Sequence, residues 1–305
     1  MTTVDNADQR LRAAPEGLLA RHPLVFFFLI AYAGSWLLEV PIALSETGTG
    51  LLPFTIPRPL LALAIAAATF VGPTLSAFIM TGMTEGRTGI RRLLRRYVLW
   101  RVGLRWYLFV LLGIPAIEVL GAIVVPGVLG SFQPLTLSLV LTYPVAFVST
   151  FILGGPLGEE PGWRGFALPR LQPLHGPLVG SVILGILWAL WHFPLFWSGV
   201  WTPPTIPNMV MFVLMTTALT IIMTWVFNNA KGSLLITMLM HASFNAFANR
   251  ILTPLFPAPI LSEYGLLPVL IGFGAVALVL IVVTRGRLGY QHYHPEETAQ
   301  TTAPA

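Results

Sequence analysis

The chain contains no cysteine, so a disulfide framework, a thiolate nucleophile and a Cys-ligated metal are all unavailable. Its only aspartates are Asp5 and Asp8, which removes a buried aspartyl dyad. Neither an HExxH zinc motif nor a GxSG serine motif occurs. Charge of either sign is scarce: Asp, Glu, Lys and Arg make up 10% of residues, against roughly 25% in soluble domains.

Hydrophobic residues make up 55% of the chain, and the mean hydropathy is +0.78. Several apolar runs exceed the roughly 18 to 20 residues needed to cross a bilayer as a helix. Reading them between polar and Pro/Gly breaks places helices near 24–44, 58–82, 104–129, 137–157, 176–197, 207–228, 233–252 and 264–284. The expected fold class is all-α, a polytopic membrane protein of about eight transmembrane helices whose second half holds a four-helix functional core. The domain expectation is a polar N-terminal tail over 1–22, one membrane domain over 23–285 with its functional core near 140–250, and a disordered C-terminal tail over 286–305.

With eight spans, 15 of the 17 basic residues fall on one side, and only Arg58 and Arg250 on the other. The positive-inside rule makes the crowded side, with both termini, cytoplasmic, and the expected location is the plasma membrane. The net charge of +5 is thereby placed at a membrane surface and implies no nucleic-acid partner. The Arg-rich stretch 87–105 reads as an amphipathic segment lying on that surface.

Ionisable residues inside spans are costly and usually face a cavity or a partner. Here they are Glu39, Glu118, Glu159, Glu160, Arg164, His192 and His241. The proline-rich stretch LPRLQPLHGP (168–177) reads as a hairpin turn centred near 175. Glu159, 16 residues before that centre, and His192, 17 after it, each lie about 24 Å away at helical rise. His241 sits about 15 Å beyond a second turn, NNAKGS (228–233), by the same rise. Glu159, His192 and His241 are therefore expected to share one level, in the cytoplasmic half of the membrane.

Local spacing adds roles. Glu160 and Arg164 are spaced i, i+4, as in a helical ion pair, and Glu159 shares a face with Trp163, whose ring would shield it. GGPLGEEP should break the helix, with Pro161 in the first turn of the restarted one. His241, Asn245 and Asn249 form one stripe, and Pro194 should disturb the helix after His192. Glu39 and Glu118 read as structural or cavity-wall residues.

The ordered set Glu159-Glu160…Arg164, Trp188…His192 and His241…Asn245 resembles the CPBP family of intramembrane proteases (the Abi or CAAX-protease family). That family includes the type II CAAX prenyl endopeptidases. The resemblance implies eight helices and peptide hydrolysis, with Glu159 and His192 activating water and His241 with Asn245 holding the oxyanion. Glu160 and Arg164 would support them. It also implies, as substrate, a membrane-associated peptide or protein, prenylated in part of the family. Glu159, His192 and His241 would make a zinc set with an open position, but they come from three separate helices. Zinc-assisted and metal-free glutamate-dependent hydrolysis both stay open, as do a transporter and a non-catalytic immunity or scaffold protein.

Overall fold

The computed structural model describes residues 17–256 and 263–293. The described secondary structure is helical throughout. After a single turn at Leu18–Arg21, α1 runs over Pro23–Leu44. Next come α2 (Arg58–Tyr97) and α3 (Leu104–Ile123), each passing through a π-helical turn. α4 (Leu137–Leu153) and α5 (Pro156–His175) meet at a 43° bend. α6 (Pro177–Trp191) continues into a 3-10 turn at Phe193–Trp197, and α7 spans Ile206–Asn229. α8 (Leu234–Phe247) extends into a π turn at Ala248–Leu252, and α9 is Leu267–Thr284.

Six of these segments are long and apolar enough to cross a membrane, or seven if the bent α4–α5 pair is one span. The protein is thus a polytopic membrane protein. The remaining expected span, on α8, is present as a helix but falls below that mark. It carries His241, Ser243, Asn245, Asn249 and Arg250, and their polarity dilutes its apolar content.

Close approach binds the layers. A methyl group on Gly34 of α1 would lie 2.7 Å from the Val71 carbonyl of α2, so small residues at this crossing let the backbones touch. Hydroxyls then bridge helices through backbone carbonyls: Ser35 donates to Ala68 (2.7 Å), Ser76 to Phe27 (2.7 Å) and Thr74 to Gly158 (2.6 Å). Tyr32 and Trp36 of α1 donate to the carbonyls of Leu187 and Trp191 on α6.

Three local expectations are corrected. The stretch 168–175 is helix despite Pro169 and Pro173, and the turn is confined to Gly176, whose φ of +77° suits glycine. Pro156, not Pro161, occupies the first turn of α5. The Arg-rich stretch, expected as an amphipathic segment, begins as a helix set off from the rest of α2 by a kink at Gly86 (φ +63°), which leaves that expectation standing. Residues 286–293 do not form a disordered tail. They make a turn and a 3-10 helix that bury Leu288 and Tyr293, and Asn228 donates to the Leu288 carbonyl (3.0 Å).

The turns at Gly176 and Lys231 and the ends of α2 and α9 meet at one end of the bundle, where Arg96 donates to the Tyr293 hydroxyl and Ser233 to the Leu99 carbonyl. Burial pushes the Tyr293 hydroxyl above its ordinary range, against the pull of Arg96. This basic end carries Arg21, the arginines from Arg87 to Arg105, Arg170, Lys231, Arg285 and Arg287.

Candidate active site

A break between α4 and α5 sets the site. Gly155 takes φ +105°, and a methyl group there would collide with Glu159 Oε1, so glycine both makes the bend and leaves room for the carboxylate. α5 restarts at Pro156 and places Glu159 in its first turn, where unpaired backbone N–H groups favour a negative charge. Adjacent residues on a helix diverge by about 100°, so Glu159 and Glu160 meet different neighbours.

Glu159 Oε2 accepts from the Trp188 indole Nε1 at 2.7 Å and lies 3.9 Å from His192 Nε2. His192 Nδ1 is 2.9 Å from the Trp188 carbonyl. A carbonyl only accepts, so Nδ1 carries the proton, and in a neutral ring Nε2 presents its lone pair. His192 is also stacked on Trp201, with ring centroids 5.7 Å apart, which fixes the ring plane.

Glu160 is fully buried, and its Oε1 accepts from Arg164 Nη1 (3.0 Å). This is the ion pair expected from i, i+4 spacing. The same oxygen lies 2.9 Å from His241 Nδ1, a contact between residues 81 apart that local spacing could not disclose. A carboxylate accepts, so Nδ1–H points at Glu160 and Nε2 is left for the cavity side. Arg164 sits 4.2 Å from the centroid of the Trp188 ring. Trp188 therefore links both glutamates, one through its N–H and the other through Arg164. The indole serving Glu159 is Trp188, not Trp163. The π turn that begins at Trp163 departs from α-helical register, and Trp163 packs instead with Phe27, Phe28 and Trp191.

Asn245 donates to the Gly154 carbonyl (3.2 Å) and Asn249 to the Asn245 carbonyl (2.7 Å), so the expected stripe reaches the helix break. Glu159, His192, His241 and Asn245 all line one cavity of about 770 Å³, with Trp188 and Glu39 also on its wall. Glu39 comes from α1, outside the expected four-helix core. Glu118 does not line this cavity.

The depth of the cavity differs from the expectation. Its walls include Val200, Trp201 and Thr202 between α6 and α7, Asn249 and Arg250 at the far end of α8, and Leu266 before α9. All of these lie at the end opposite the basic turns. Rise along a helix measures distance from the turn at Gly176, not depth in the bilayer, so the site sits in the half away from the basic end.

No three His, Cys, Asp or Glu side chains converge as a metal group among the described residues. Glu159 Oε2 is taken up by Trp188, and His241 Nδ1 by Glu160. Glu159 keeps its other carboxyl oxygen, and His192 and His241 keep Nε2, for the cavity, so the zinc set of Glu159, His192 and His241 stays open, and no step below runs through a metal.

Residues 141–247 match the family model of type II CAAX prenyl endopeptidases, Rce1-like. That segment contains Glu159, Glu160, Arg164, Trp188, His192, His241 and Asn245, and stops short of Asn249 and Arg250. A protein named CAAX prenyl protease 2 from Methanococcus maripaludis is 33% identical over 92 residues, covering 28% of this chain and 34% of the relative. The aligned region thus spans about a third of that relative's length. The Rce1-like segment is also the part of the fold that supplies both glutamates, their indole bridge and both histidines.

Proposed function

We propose that this chain is an intramembrane endopeptidase that hydrolyses a peptide bond near the end of a membrane-associated peptide or protein, using water activated by Glu159 and His192. The observation that carries the reading is the convergence of Glu159, His192, His241 and Asn245 on one cavity within the Rce1-like segment. The Glu159 carboxylate takes a proton from water as the oxygen attacks the carbonyl carbon, and the His192 Nε2 lone pair orients the water's second hydrogen. The tetrahedral oxyanion receives hydrogen bonds from His241 Nε2 and Asn245 Nδ2, the histidine acting as imidazolium beside Glu160. Positioned donors of this kind lower a barrier by about 3 kcal/mol each. Asn245 turns from the Gly154 carbonyl to do so. The proton on Glu159 then passes to the amide nitrogen, the C–N bond breaks, and an acid and an amine leave.

The relative's name makes a prenylated C-terminal peptide the first substrate to try. Detergent-purified protein should cleave a fluorogenic C-terminal peptide, tested with and without a farnesyl group and with and without chelator. Cleavage that survives chelation supports metal-free chemistry. Cleavage lost with chelator and restored by zinc would make Glu159, His192 and His241 ligands after rearrangement. A complete lack of cleavage would contradict the reading and favour a transporter or scaffold.

The excess of basic residues at one end supports a plasma-membrane orientation with that end and both termini cytoplasmic, and the cavity's outer rim then faces the opposite side. Because the chain lacks cysteine, a single Asn249→Cys reports on this cleanly. An impermeant maleimide should label it from outside intact cells. Labelling only after the cells are opened would reverse the orientation.

A further inference from the structure

We infer that Glu39 is a second carboxyl of the active site, a positioning residue that holds the attacking water together with Glu159. The inference rests on the endopeptidase reading above. Glu39 lies on the stripe of α1 that buries Phe27, Ala31, Ser35 and Ile42, and it has no exposed surface. Neither of its carboxyl oxygens has a hydrogen-bond partner in the protein. A buried carboxyl left in this state is costly, and inside a membrane span such a residue points to a functional cavity. Glu118 is also buried without partners, but only Glu39 of the two lines the cavity that holds Glu159. At rest the Glu39 oxygens have no accessible surface, so a rotation of the side chain into the cavity it lines brings them to what enters there.

A water molecule about to attack a carbonyl has two hydrogens to place. One goes to Glu159, which removes it. The other needs an acceptor that leaves the oxygen lone pair directed at the substrate. An oxygen of Glu39 from the α1 side shares that hydrogen with His192 Nε2 from α6 in a three-centre hydrogen bond, and no proton moves to or from Glu39. Asn, Gln and protonated carboxyl groups keep a carbonyl oxygen with the same capacity, so the role depends on an acceptor and not on charge.

The test compares full-length wild type with Glu39→Leu, Glu39→Gln and, as a control, Glu118→Leu. The measurements are kcat and KM on a cleaved peptide and the thermal midpoint in detergent. Removing a partnerless buried carboxyl should leave the Leu variant as stable as wild type or more so. Its kcat should nevertheless fall roughly 10- to 100-fold, the scale of a misplaced reactant, with KM little changed. Glu39→Gln should retain most of the activity, and Glu118→Leu should leave kcat unaltered. Wild-type kcat in Glu39→Leu would overturn the inference while leaving the endopeptidase reading intact. A parallel loss of stability and activity in Leu and Gln variants alike would also overturn it, in favour of a structural role. No cleavage by wild type would remove the endopeptidase reading and the Glu39 inference together.

Discussion

At the basic end, Arg92 and Arg170 pair with Glu85, and Arg96 reaches Tyr293, with the Glu85 pairs partly exposed. In the opposite half, Glu159, Glu160 and Arg164 are almost wholly enclosed and held by Trp188, His192 and His241. The Glu85 pairs are screened by solvent and tolerate loss of a partner. The enclosed group lies in a low-dielectric interior, where each charge depends on its neighbours and each missing partner leaves an uncompensated group. Abundance of charge and consequence of charge are therefore at opposite ends of this molecule.

Variants at the two ends should separate by size of effect. Arg164→Met should be the most damaging to the fold, because Glu160 would stay buried without its cation. A loss of about 3–5 kcal/mol is expected for breaking such a pair, read as a lowered thermal midpoint, and an unchanged midpoint would break the contrast. Trp188→Phe keeps a ring over Arg164 but removes the N–H donated to Glu159. A hydrogen bond to a charged group is worth about 1.5–3 kcal/mol, so kcat should fall roughly 10-fold or more with the fold intact. Arg92→Gln, whose pair with Glu85 is 3.6 Å long and about a third exposed, should cost under about 1 kcal/mol, and less in high salt. A larger effect there would mean that the basic end is structural in its own right.

The helices were legible because lipid-spanning segments are long apolar runs, and each of the eight expected segments is a helix within a few residues, save that 104–129 stops at Ile123 and 58–82 runs on past a kink at Gly86 to Tyr97. The Glu160–Arg164 pair was legible because it is local. Three features were not. The stretch around Pro169 and Pro173 looked like a turn, yet Pro169 sits in the first turn of its helical segment and the chain stays helical to His175. Trp188 and Glu159 are 29 residues apart and Glu160 and His241 are 81 apart, so their contacts depend on how α5, α6 and α8 pack. Glu39 was legible as a structural or cavity-wall residue and does line the cavity, but its place beside Glu159 was not, because its helix is distant in sequence from the motif residues. A lone intramembrane carboxylate was the only signal available for it.

The central claim is that two adjacent glutamates have different tasks, Glu159 in chemistry and Glu160 in holding Arg164 and His241. The most direct measurement is single-turnover cleavage and thermal unfolding of Glu159→Gln beside wild type. The account predicts a fall in the cleavage rate of roughly 10²- to 10⁴-fold, as for loss of a general base, with peptide binding and thermal midpoint preserved. A Glu159→Gln protein that cleaves at the wild-type rate would contradict it.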